Sequence, residues 1–195
     1  MPFKISVASG HPNYETLPAA KIISYPLAKE DYRPFAQARF MVGSEGLYLQ
    51  MIAFEVTISP MSRLCASFAP SIQDAAPSEQ LWIHLCAGKD GIDSFTAWQG
   101  ETLLWQENDA VSLTPIEGED LQGEYWGFQA LIPFETFYRI WPDARLEAGN
   151  TLWGNVFKIC GDPQWEHYGS FFPADFSLSQ PYGPKNFDAF TLVNY

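Results

Sequence analysis

The chain is a succession of short apolar runs separated by turns that carry glycine and proline, with local period-two alternation and no sustained helical period. Across 33–42 (RPFAQARFMV), Phe35, Ala38 and Phe40 are separated by polar Gln37 and Arg39. The turn Gly43-Ser44-Glu45-Gly46 leads into 47–57 (LYLQMIAFEVT), rich in apolar and aromatic residues. Two such runs around a short turn containing glycine predict a β-hairpin. A short strand is predicted at 21–24, ended by Pro26, and further strands at 63–68, 81–87, 93–98, 102–106 and 110–114. Lys89-Asp90-Gly91 and Gln99-Gly100 supply turn chemistry between them. Residues 125–132 (YWGFQALI) read as another strand. Pro133 suits the first turn of a short helix over 134–141, stopped by Pro142. After Ala148-Gly149-Asn150 come a long strand at 152–160 and shorter ones at 168–171 and 187–193, with loops at 70–77 and 177–185. Many short strands with regular turns predict an all-β fold: an antiparallel β-sandwich, jelly-roll-like, with one short helix. The 195 residues are read as a single domain.

Composition agrees. Aromatic residues make up 16% of the chain (15 Phe, 9 Tyr, 7 Trp), with 14 Gly and 15 Pro as punctuation, a mixture that favours strands. The formal charge is −12 and no basic run exists, which argues against nucleic acid as a partner. The acid excess is concentrated between Glu101 and Glu147, where ten acids face only Arg139 and Arg145. No stretch approaches the ~18 apolar residues of a transmembrane helix, so no membrane partner is expected. Met1 to Pro12 shows no apolar signal core, so the expected location is the cytoplasm, or outside the cell if a leader was removed. Cys65, Cys86 and Cys160 are odd in number, widely spaced and each set in an apolar run. They read as buried thiols in a reducing compartment and not as a disulfide framework or a zinc site.

Catalytic signatures are missing: there is no GxGxxG, Walker A loop, HExxH, GxSxG or CxxC. His11, His84 and His167 are not at metal-ligand spacing. His84, between Ile83 and Leu85, reads as a packed or surface histidine within a strand, and His167 as a loop residue near aromatics that makes a structural hydrogen bond. Glu55 ends a strand, Glu117, Glu119 and Asp120 sit in a predicted polar loop, and Glu124 opens a strand. Two carboxylates across a cleft would suit glycoside hydrolysis, but the loop cluster reads as solvated, and an enzyme acting on sugars ranks last. The balance favours a non-catalytic binding protein.

Aromatic rings stack on the C–H faces of sugars while amides, carboxylates and lysines bond the hydroxyls. Among the tryptophans, Trp126 and Trp153 fall in strands and Trp141 on the helix, where core packing is the default reading. Trp165, Phe171 and Tyr182 lie in or beside loops and read as site candidates. The run from Trp153 to Asp162 (WGNVFKICGD), then 167–173 (HYGSFFP) and 184–188 (PKNFD), resembles the C-terminal pattern of family 9 carbohydrate-binding modules. Ala130-Leu131-Ile132-Pro133-Phe134 matches that family's strand-to-helix step, and 32–55 resembles its early hairpin more weakly.

The resemblance implies a β-sandwich that binds a mono- or oligosaccharide without cleaving it. It implies no required cofactor, although characterised members often carry structural calcium. Phe171 would then stack on the sugar, Trp165 and Tyr182 would wall the site, and Asn155, Lys158 and His167 would contact hydroxyls. Asn155 and Lys158 serve the strand itself equally well. Two departures stand out. Phe171 occupies a position where the pattern carries tryptophan, and 64–70 (LCASFAP) lacks the acids expected at a strand start. The alternative is a structural or protein-interaction β-sandwich that has lost its sugar site and offers an apolar patch or a homodimer interface in its place.

Overall fold

The computed structural model describes residues 2–28, 32–70, 76 and 78–195. Among these residues thirteen strands form: β1 (Phe3–Val7), β2 (Ala20–Ile22), β3 (Phe35–Val42), β4 (Gly46–Phe54), β5 (Ser62–Ala69), β6 (Leu81–Gly88), β7 (Gly91–Gln99), β8 (Thr102–Gln106), β9 (Ser112–Asp120), β10 (Gly123–Pro133), β11 (Thr151–Cys160), β12 (His167–Ser170) and β13 (Asp188–Asn194). An α-helix, α1 (Phe134–Ile140), follows β10 directly. Its entry is set by Pro133 with φ −62°, and its end by the Trp141 N–H, which donates to the Phe137 carbonyl. Among the described residues, no helix is long and apolar enough to cross a membrane.

The strands join in one sheet in the order β8-β7-β6-β5-β11-β13-β1-β3-β4-β10-β9, with β12 on β11 and β2 on β3. The two wings face one another across a common core, as in a sandwich, and Phe40 of β3 meets Phe68 of β5 edge to face at 5.9 Å. The expectation of a strictly antiparallel sheet is corrected: β1 runs parallel to both β13 and β3. From β1 the chain crosses through a 3-10 turn and β2 before entering β3 in the same direction, so the seam between the wings is parallel while both wings are antiparallel.

Period two fixes which side chains point inward. Ala36, Ala38, Phe40 and Val42 of β3 join Leu47, Leu49, Met51 and Ala53 of β4 in the core, and Trp126, Phe128, Ala130 and Ile132 of β10 complete that wing. Phe35 faces the other way and packs on Phe54. The opposite wing contributes Leu64, Ala66 and Phe68 of β5, Ile83 and Leu85 of β6, and Leu152 and Val156 of β11. Phe40 also meets Phe190 (5.5 Å) and Phe3 (6.2 Å), so a single ring joins both wings to the seam.

Two element assignments change. β1 was not foreseen, and β9 runs on to Asp120, which places Glu117, Glu119 and Asp120 on an edge strand instead of in a loop. An edge strand tolerates charges because one of its flanks stays in water. Of the loop expected at 70–77, all but Pro70 and Ala76 lies outside the described residues.

Truncating Phe40 to alanine should open a cavity between the wings and cost about 3–5 kcal/mol, read as a lowered urea midpoint with an unchanged slope.

Candidate functional site

The inward rows of β4 and β11 end in charge, beside Trp126 at the end of the β10 row. Glu55 continues the row of Met51 and Ala53, and Lys158 that of Leu152 and Val156; the side chains of both are essentially without solvent contact. The Lys158 ammonium lies 3.1 Å from Glu55 Oε2 and donates to Ser62 Oγ (3.1 Å) and His167 Nε2 (2.9 Å). Glu55 also accepts from Ser62 Oγ (2.9 Å) and the Trp126 indole N–H (2.8 Å). His167 Nδ1 lies 2.6 Å from the Trp165 carbonyl, which can only accept, so this nitrogen carries the proton and bare Nε2 receives the lysine. The rings of Tyr32 and Tyr25 stand 5.6 and 6.3 Å from that of His167, and Tyr32 tilts against Trp165 at 5.4 Å. Burial pushes Lys158 down to about 8, against the pull of Glu55. Burial, then the adjacent Lys158 cation, pushes His167 down to about 4, so its ring is neutral. The polar atoms of Glu55, Lys158, Ser62, His167 and the Trp126 indole are all partnered inside the protein, which makes them a closed polar knot, while the buried Tyr32 hydroxyl beside them makes no hydrogen bond among the described residues.

A second set lies on the outer face of β11, β5 and β6, beneath the segment 171–187. Asn155 is fully buried: its Nδ2 donates to the carbonyls of Phe172 (3.0 Å) and Asn186 (2.9 Å), and its Oδ1 accepts from the Phe172 N–H. Asn186 in turn donates to the carbonyls of Asp175 and Pro181. Two asparagines thus pin this segment to the sheet. Tyr182 stacks on His84 (5.1 Å, 16°) and meets Phe157 edge-on. Phe171 packs among Phe3, Phe172 and Phe190 at the edge of the core.

The six residues picked from the sequence therefore do not share one platform. Lys158, His167 and Trp165 meet around Glu55, Asn155 and Tyr182 hold the outer segment, and Phe171 joins the core. Asn155, Lys158 and His167 have no surface to offer a ligand, because folding uses their polar atoms internally.

An open cleft does form at the C-terminal end of α1. It has a volume of about 740 Å³, and its walls include Trp141, Trp153, Asp143, Arg145, Asn150 and Pro70. Trp153 points outward from β11, where its cross-strand neighbours are Ala69 and Ala189, too small to cover an indole. Trp141 caps α1 and leans on Phe137. Both tryptophans are half-buried, and neither indole N–H has a hydrogen-bond partner among the described residues. The rim is held in place: Asn150 Nδ2 donates to the Arg145 carbonyl, the Gly149 N–H to Leu192 of β13, and Leu192 N–H back to Asn150. Gly149 takes φ +96°, a conformation glycine adopts without penalty. One guanidinium nitrogen of Arg145 bonds the Ala144 and Pro142 carbonyls, which fixes the group at the cleft wall. Sequence reasoning left Trp141 and Trp153 in the core. The available signals were the helix stop at Pro142, which places Trp141 past the last turn, and period two, which puts Trp153 opposite in sense to Leu152.

The cysteine expectation is also corrected. Cys65 and Cys86 are disulfide-bonded, because the register of β5 and β6 sets them directly opposite each other, and only Cys160 is free and buried. Calcium needs several oxygen ligands. Among the described residues no three carboxylates converge, and the one group of histidine, cysteine or acidic side chains within ligating range is Cys65, His84 and Cys86.

No family model matches the chain, and no curated protein matches its sequence. Solved structures do share its architecture, which is that of the family 9 carbohydrate-binding modules. A candidate carbohydrate-binding protein from Bacteroides uniformis superposes with a TM-score of 0.72 at 14% identity, over 98% of both chains. A family 9 module from Caldicellulosiruptor kristjanssonii in complex with glucose gives 0.64 at 9% identity, over 98% of this chain and 96% of the module. The same kind of module with cellotriose gives 0.63 at 10%, over 98% and 95%.

Replacing Glu55 by glutamine should leave the Lys158 ammonium buried without its counter-charge and cost about 3–5 kcal/mol in denaturant unfolding. The depressed His167 has a further consequence. Between its ordinary 6.5 and about 4 the unfolded chain binds a proton there that the folded chain does not. Stability should therefore be lost as pH falls through that window, and thermal melts at stepped pH should show a shallower decline in His167→Gln.

Proposed function

We propose that the protein binds a mono- or oligosaccharide without cleaving it, in the cleft between Trp141 and Trp153. The observation that carries this reading is the pairing of two half-buried indoles, whose N–H groups have no hydrogen-bond partner among the described residues, with Asp143, Arg145 and Asn150 around one open cavity. Indole faces suit the apolar C–H faces of a pyranose, while a carboxylate, a guanidinium and an amide suit its hydroxyls. The volume of about 740 Å³ falls in the range of small-ligand sites and leaves room for more than one ring. The modules of the same fold that hold glucose and cellotriose support the ligand class. Phe171, taken from the sequence as the stacking residue, is replaced in that role by Trp153.

A protein-contact reading has one observation in its favour: Leu103 and Leu104 are exposed, at 46% and 45%, on the edge strand β8. The same experiment separates the two.

Tryptophan fluorescence titrated with glucose, xylose, cellobiose and cellotriose, with and without calcium, should change saturably with one sugar class. Trp153→Ala should weaken binding about tenfold or more, ~1.4 kcal/mol or above, while Phe171→Ala leaves the affinity unchanged in the folded fraction. A folded protein that answers no sugar, or an unaltered affinity in Trp153→Ala, would overturn the proposal. Self-association lost on Leu103→Ser and Leu104→Ser would then favour the contact surface.

A further inference from the structure

The outer face of β5 and β6 carries a group that the saccharide reading does not use. Cys65 and Cys86 face each other across the two strands, and one step along the same face Ser67 faces His84. One ligand atom from each of Cys65, Cys86 and His84 lies within 4.8 Å of the others. His84 is held from several sides: Ser67 Oγ lies 2.8 Å from its Nδ1, Tyr182 stacks on its ring, and its carbonyl accepts from Thr96 Oγ1. Cys65 is buried and Cys86 half-buried, so a small ion can reach the pair without the sheet opening.

From this geometry we infer that the reduced protein binds a thiophilic d10 cation, zinc(II) or copper(I), through Cys65, Cys86 and His84. Two thiolates and an imidazole are the donors such ions prefer over hard-oxygen ligands, and a three-residue set leaves a fourth position for water. Burial pushes His84 down to about 4, so its ring is neutral and able to donate a lone pair at neutral pH. The site and the disulfide are mutually exclusive states of the same sulfurs. A dithiol reductant passes two electrons to the Cys65–Cys86 bond, is itself oxidised to a disulfide, and leaves two thiols. Metal binding then releases both thiol protons to solvent. Cys160 lies outside the group and serves as an internal control.

The test uses the full chain, reduced with a phosphine or dithiol, freed of reductant under argon and titrated with cobalt(II). A thiolate-to-cobalt charge-transfer band should saturate at about one equivalent, disappear on adding zinc, and be absent from the unreduced protein. It should be lost in Cys65→Ser and Cys86→Ser and retained in Cys160→Ser. A reduced, folded protein with no such band overturns the inference, as does a band that survives loss of either Cys65 or Cys86. Should a variant fail to fold, the wild-type chain decides. Zinc must protect Cys65 and Cys86 from alkylation, read by mass spectrometry, and equal modification with and without zinc overturns the site.

Discussion

The ion pair between Glu55 and Lys158 is the constraint to which most of the structure answers. Two charges removed from water cost several kcal/mol each unless they meet one another and every remaining donor and acceptor is filled. Here that requirement draws in Ser62 at the start of β5, Trp126 of β10 and His167 of β12. Both wings and the short outer strand therefore have to be in register together before the pair is satisfied. A one-residue slip of β11 would turn Lys158 out of the core and leave Glu55 alone inside it. The pair contributes less as net stability than as a penalty on wrong pairings, a matter of weight in a sheet whose other inward positions are nearly all interchangeable apolar residues.

Strand β11 shows how one segment can serve two purposes. Its inward row, Leu152, Gly154, Val156 and Lys158, builds the core and its charged end. Gly154 belongs there because a Cβ would run into the Ser67 carbonyl oxygen of β5. The outward row, Trp153, Asn155 and Phe157, meets the segment 171–187 over most of its length through Asn155 and Phe157. At Trp153 that cover ends, and the small neighbours Ala69 and Ala189 leave the indole to the cleft. The position of the open site thus follows from where Asn155 anchors the covering segment.

Much of this architecture was legible in the sequence. The hairpin at 33–57, the strand at 102–106 and the helix after Pro133 carry their own local signals, alternation in the strands and turn or cap chemistry at the ends. The C-terminal pattern from Trp153 onward pointed to the fold that the solved structures share. What stayed hidden is set by partners distant in the chain. β1 is five residues long and exists because β13 and β3 flank it. β9 is strongly acidic and holds as a strand because β10 pairs with it along nearly its whole length.

The candidate site residues lie apart for the same reason. Polarity in an apolar strand signals that a group has a partner, but not whether the partner is a ligand or another residue. For Lys158 the partner is Glu55 and for Asn155 it is the backbone of Phe172 and Asn186, none of them adjacent in sequence. Conversely, Trp153 sat in a strand and was counted as core, because its exposure depends on two alanines brought beside it by β5 and β13. Cys65 and Cys86 repeat the lesson: a spacing of 21 residues implies nothing by itself, whereas the β5–β6 register makes them direct neighbours. In a fold built from cross-strand pairs, the chemistry of a side chain becomes readable only once its register is known.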